Sequence, residues 1–225
     1  MISRLALLGL GMIVLTLPAF GQMGPRPGDI ASYQGLHRAA HTGDLAEIRR
    51  LAGEGGDIDA RDGHGRTAFH VACFARNLDV MRALVVAGAN PRALEVQAYD
   101  CITIAAVADD LTTMKVAIEL GGNPKEITSP YRGTALIAAA HLGHDAVVKA
   151  LIEAGAPLDH VNNLHWTELI EAVVLGNEGS RHTQTVRYLV DAGASRDLTD
   201  RIGRTPLDLA RSRGYEAIAR LLTRN

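Results

Sequence analysis

Nine histidines and two cysteines are the side chains of this chain best suited to metal ligation or nucleophilic chemistry near neutral pH. His141 and His144 stand three apart, the spacing of a metal pair on one helix face. Gly143 lies between them and should end the helix, so the two rings need not share a face. His64, His160, His165 and His182 fall on expected loops, where ligation needs convergence of distant segments. No HExxH, CxxC, Walker-type loop or G-x-S-x-G elbow occurs. Acidic residues are scattered rather than paired. The residues therefore assign no catalytic group, no metal ligand and no cofactor, and a non-enzyme is expected. The alternative is a metal- or haem-handling protein that uses the loop histidines.

What must position these residues is set by composition. The 225 residues carry 23 Lys+Arg against 25 Asp+Glu, a net charge of −2, and 47% of them are hydrophobic. That balance excludes a disordered chain. It also lacks the polybasic excess of a nucleic-acid or anionic-lipid binder. Only nine residues are aromatic, whereas Ala and Gly abound. A core built from small residues implies helices that approach closely.

The first residues stand apart. Met-Ile-Ser-Arg precedes an apolar run from Leu5 to Leu17, and small residues follow at Ala19 and Gly21. This is the pattern of a secretory signal peptide cleaved after Gly21. The run is shorter than the roughly 17–25 residues of a spanning helix, so a retained anchor is the weaker reading. Residues 1–21 are read as the signal and 22–28 as a Pro/Gly linker. The mature chain is expected in the periplasm, with no membrane insertion once the signal is removed.

One phrase then recurs. Arg66-Thr67-Ala68-Phe69-His70-Val71-Ala72 returns as Gly133-Thr134-Ala135-Leu136-Ile137-Ala138-Ala139, Trp166-Thr167-Glu168-Leu169-Ile170-Glu171-Ala172 and Arg204-Thr205-Pro206-Leu207-Asp208-Leu209-Ala210. Weaker copies begin at Gly35-Leu36-His37 and Asp100-Cys101-Ile102. Equivalent positions are 34, 67, 100, 134, 167 and 205, so the spacings are 33, 33, 34, 33 and 38. Thr67, Thr134, Thr167 and Thr205, with Asp100, can cap a first helix. Gly43, Gly143, Gly176 and Gly214 should end it. Apolar residues at helical spacing follow, as in Val147, Val148, Leu151 and Ile152, and Gly55, Gly88, Gly121, Gly155 and Gly193 close the second helix.

The phrase and its period resemble the ankyrin repeat over roughly residues 29–225. The resemblance implies an all-α solenoid of about six helix-turn-helix units with short hairpin loops. The units run about 29–61, 62–94, 95–128, 129–161, 162–199 and 200–225. No unit can bury its apolar face alone, so stability comes from stacking. The family places His37 and His70 in structural hydrogen bonds that tie the first helix to the preceding hairpin. Thr103 stands in that place in unit three, so the tie there is expected to be lost; the unit is read as a decayed but folded repeat, with a soft spot where the solenoid bends as the weaker alternative. Unit five carries five extra residues near Asn177–His182, read as a surface insertion. Cys73 falls late in one first helix and Cys101 early in the next. A five-residue offset is about 7.5 Å along the axis, with roughly 10 Å more between helices. A disulfide needs Cα atoms within about 7 Å, so two free, mostly buried thiols are expected.

The resemblance further implies a monomeric, non-catalytic binding module. Hairpin tips and exposed sides of the first helices would form a concave face for a protein partner. Carried onto this chain, that face comprises Tyr33, Arg66, Phe74, Tyr99, Tyr131, His141, Leu142, Leu164, Trp166, Leu175, Arg204 and Arg213. Trp, Tyr and Arg dominate binding hot spots, and the groove is expected to centre on Tyr99, Tyr131 and Trp166. Exported bacterial relatives offer two roles, support of oxidative-stress defence and immunity to a secreted toxin.

Overall fold

A computed structural model describes residues 24–223. The expected signal peptide and linker residues 22 and 23 lie outside the described residues. Among the described residues there are thirteen α-helices, and the only β-type contact is an isolated bridge between Thr128 and Gly133. A short helix α1 (Pro27–Ser32) precedes six helical pairs. They are α2 (Gly35–Thr42) with α3 (Leu45–Gly53), α4 (Ala68–Phe74) with α5 (Leu78–Val86), and α6 (Cys101–Val107) with α7 (Leu111–Glu119). Next come α8 (Ala135–Leu142) with α9 (Asp145–Glu153), α10 (Glu168–Val174) with α11 (Ser180–Asp191), and α12 (Pro206–Ser212) with α13 (Glu216–Leu222). First helices stack in the order α2, α4, α6, α8, α10, α12, and second helices stack beside them in the same order. No described helix is long and apolar enough to cross a membrane.

The 33-residue phrase builds each unit in the same way. Asp100, Thr134, Thr167 and Thr205 accept the backbone N–H three residues on and so start their helices. Thr67 does so with His70, whose Nδ1 accepts the Thr67 N–H at 3.1 Å. Burial drives the His70 pKa down to about 4, so the ring stays neutral and able to accept. The hairpin before each helix is closed by a side-chain acceptor four residues upstream of a backbone N–H. Asp62 serves Arg66, Glu95 serves Tyr99, Ser129 serves Gly133, Asn162 serves Trp166 and Asp200 serves Arg204.

Alanines at the centre of the first helices, among them Ala40, Ala72, Ala106, Ala140, Ala172 and Ala210, are fully buried. They let consecutive first helices lie close, as the composition implies. Larger side chains such as Ile48, Leu84, Met114, Leu151 and Leu189 fill the layer behind them. Truncating one of these to Ala costs about 2–5 kcal/mol. Units are also stitched by side chains that reach back to carbonyls left open where the preceding first helix ends. Asn77 donates to the Ala40 and His41 carbonyls, and Tyr215 to that of Gly176. His144 Nδ1 lies 2.9 Å from the Ala106 carbonyl and His182 Nε2 3.1 Å from that of His141.

Three expectations are corrected. Cys73 and Cys101 form a disulfide with Cα atoms 6.0 Å apart, and no free cysteine remains among the described residues. Adding the axial offset to a full interhelical spacing overestimated the gap. The start of α6 lies close to the end of α4, where the first helices pack through buried alanines such as Ala72 and Ala105. Secondly, the histidine tie runs to the following hairpin rather than the preceding one: His37 Nε2 lies 2.9 Å from the Arg66 carbonyl. Thr103 replaces it with a buried 2.8 Å hydrogen bond to Thr128, so unit three keeps a tie in altered chemistry. Thirdly, His182 lies on a helix, not a loop. The extra residues of unit five lengthen α11 to 12 residues and drive His182 into the gap between two first helices. Gly143 and Gly176 are required there. A Cβ at position 143, where φ is +68°, would meet the His182 ring at 2.7 Å, and one at 176 would meet it at 2.4 Å.

Candidate binding face

The structure divides the expected face in two. At its N-terminal end the side chains turn inward. Tyr33, Arg66 and Tyr99 are 7%, 2% and 5% exposed, so they are packing and network residues, not surface. The Arg66 Nε donates to Asp62 Oδ2 at 2.7 Å and its Nη2 to Asp29 Oδ2 at 2.9 Å. The Tyr33 hydroxyl donates to the same Asp62 oxygen at 3.1 Å. The Arg26 N–H first, then Arg66, hold the Asp29 carboxyl down to about 2. Desolvation pushes Asp62 up, but hydrogen bonds from Arg66 and His64 outweigh it and leave its pKa low. Phe74 is half-buried, and a Cβ on Gly24 would stand 3.3 Å from its ring. The N-terminal segment thus lies against this part of the face. Beside it is a cavity of about 200 Å³ bordered by Gly24, Phe74, Val96 and Tyr99.

At the C-terminal end the side chains remain open. Leu142 and Leu175, eight residues after equivalent capping threonines, are 39% and 44% exposed. Because α8 and α10 stack side by side, these residues continue one stripe. Tyr131, Leu164 and Ile202 share the position three residues before the cap, and Ile202 is 74% exposed. Trp166 is half-buried against the core. Arg204 pairs with Asp200 at 2.7 Å, and Arg213 lies exposed with its guanidinium 6.0 Å from the Tyr215 ring centre. The sequence reading omitted Ile202, although its register with Tyr131 and Leu164 was available.

Two buried carboxylates were also missed. Glu168 is fully buried; its Oε1 accepts the Asp159 N–H at 3.0 Å and its Oε2 has no partner. Burial pushes its pKa up to about 7. Glu171 accepts from Asn162 Nδ2 at 2.9 Å through Oε1. Its Oε2 lies 3.2 Å from His141 Nδ1 but is not aligned for a hydrogen bond. Both belong to the recurring phrase, where a reading by periodicity treats them as ordinary helix residues. Of the histidines on expected loops, His160 meets the Arg132 carbonyl at 2.7 Å and His64 meets Asp29 at 3.3 Å. No group of three or more metal-ligating side chains converges among the described residues.

A stack of helical pairs in which first helices pack on first helices and second on second is the architecture of a solenoid. The chain belongs to the ankyrin-repeat family. Family models described as ankyrin repeats match residues 36–85 and 102–180. A putative ankyrin repeat protein of Escherichia coli K12, YahD, is 34% identical over 82% of this chain and 92% of its own. The crystal structure of an ankyrin repeat domain from Acinetobacter baumannii superposes with a TM-score of 0.78. That match has 41% identity and covers 83% of this chain and 95% of the other. A chain in the structure of a Bdellovibrio bacteriovorus predatory endopeptidase bound to its immunity protein has a TM-score of 0.70 at 24% identity. It covers 85% of this chain and 98% of that one, and the likeness concerns the fold alone. Ankyrin repeats mark a protein–protein interaction module, and the family is generally non-catalytic.

Proposed function

We propose that this protein is an exported, non-enzymatic adaptor that binds a protein partner on the concave face of units four to six. The carrying observation is the pair of exposed leucines Leu142 and Leu175 at equivalent places in stacked units four and five, with Tyr131, Leu164 and Ile202 repeating at the hairpin tips of units four to six and Trp166 between them in sequence. Contiguous exposed apolar surface marks interaction sites, and Trp and Tyr are the side chains that anchor them. Export to the periplasm is supported by the N-terminal residue pattern and by the Cys73–Cys101 disulfide, which suits an oxidising compartment. Oxidative-stress support and toxin immunity remain the two roles that the family resemblance offers for such an adaptor. Affinity capture from periplasmic extract, with Trp166→Ala as control, tests the reading. The parent chain should retain a protein that the folded variant loses; equal capture by both refutes this face.

A further inference from the structure

We propose that unit five holds a recognition site for a cationic side chain of the partner, an Arg guanidinium or Lys ammonium, with Glu171 as its acceptor. The inference rests on the binding face proposed above and names the chemistry that face selects. In units two and six the carboxylate at the hairpin base is matched within the chain: Asp62 by Arg66 and Asp200 by Arg204. Units three, four and five have no such arginine, Tyr99, Gly133 and Trp166 standing in its place, and unit five differs from the other two in where its acid lies. Asn162 and Trp166 occupy the equivalent positions, and the carboxylate has moved onto helix α10 as Glu171.

Glu171 is held for such a task. Asn162 grips Oε1 with its Nδ2 and the Trp166 backbone N–H with its Oδ1. One amide therefore fixes the carboxylate relative to the aromatic side chain. The Glu171 side chain is 5% exposed and its Oε2 has no hydrogen-bond donor. A buried carboxylate oxygen left so is costly to the free protein, and a docking cation satisfies it. The covering group is the His141 ring, 36% exposed, which can swing aside from Oε2. Leu142, Leu175 and Trp166 lie on the same unit or its neighbour and keep water from the pair once a partner docks. Charge pairs strengthen as water is excluded, and an indole face adds attraction for a cation.

The test uses defined probes. Trp166 is the sole tryptophan, so its fluorescence reports on this site. Acetylated, amidated Leu-Arg-Leu is titrated into the full mature chain beside the same peptide with citrulline, the neutral isostere of arginine. The arginine peptide should bind about tenfold more tightly than the citrulline peptide, and Glu171→Gln should remove that preference. Equal binding of the two peptides, or no response to the arginine peptide, overturns the proposal. His141→Ala keeps Glu171 in place and should bind the arginine peptide at least as tightly as the parent while still rejecting citrulline. Lost discrimination in that variant also overturns it. Capture of the natural partner separates the two claims. Retention by Glu171→Gln with loss by Trp166→Ala preserves the face and removes the cation site, whereas retention by both removes the face itself.

Discussion

Units two and five open on one phrase, yet they treat charge in opposite ways. In unit two the hairpin carboxylate is answered: Asp62 is met by Arg66 and by the Tyr33 hydroxyl of unit one, and Arg66 also reaches Asp29 of unit one. In unit five, Glu168 and Glu171 each keep an oxygen without a hydrogen bond. On the expected face the apolar residues follow the same division, with Tyr33 and Tyr99 buried at one end and Leu142 and Leu175 exposed at the other, although Val86 and Val96 of units two and three are exposed elsewhere. A repeat can be finished for stability or left incomplete for contact, and incompleteness marks function because it is a cost that stability alone would not retain.

The contrast can be broken most forcefully at unit two. Arg66→Ala leaves two carboxylates without their cation and is expected to lower stability by about 3 kcal/mol, measured by urea denaturation. That lies at the low end for a broken buried pair because Asp29 stays partly solvated. A loss below about 1 kcal/mol would make the network ornamental. Removing the Cys73–Cys101 link, by reduction or as the double Ser variant, should cost about 2–4 kcal/mol. Thiol titration of the unreduced, denatured chain should find no reactive cysteine; two thiols would return the molecule to the unlinked state.

Unit five should answer in the other direction. The folded-state pKa of Glu168, about 7, lies above its ordinary 4.5, so the folded chain holds that proton more tightly than the unfolded one. Its stabilising contribution is present below pH about 4.5 and fades as pH rises towards 7. Glu168→Gln should flatten that window and raise stability at pH 8 by about 1–3 kcal/mol. Chemical denaturation across pH 5–8 checks this; parallel parent and variant curves would leave Glu168 without an energetic role. The smallest expected effect is Ile202→Ala, within about 0.5 kcal/mol of parent stability yet weaker in partner capture. A large destabilisation would show Ile202 to be packing after all.

The fold was legible because a 33-residue period repeats caps, small residues and closing turns that each carry a local reason. The face was half legible. Register alone placed Leu142 and Leu175 at the surface and Leu164 and Trp166 partly so, but it could not tell that Tyr33 and Tyr99 turn inward. That depends on neighbours such as Asp62 and His37, supplied from elsewhere in the chain. Glu171 escaped for a related reason: the replacement of arginine by Trp166 is visible in the sequence, but the burial of Glu171 and its grip by Asn162 appear only in three dimensions. The disulfide was misjudged because interhelical spacing depends on how small the intervening residues are.

The lengthened helix α11 has an evolutionary consequence. Repeat arrays can gain or lose whole units when each unit touches only its neighbours. Here Arg181 reaches Asp145 in unit four and Asp109 in unit three, while His182 occupies a space opened by Gly143 in unit four and Gly176 in its own unit. Excising unit four would strand both side chains at once. Units three to five are therefore coupled beyond nearest neighbours, and a chain shortened by unit four should lose contacts that a chain shortened at either end would keep.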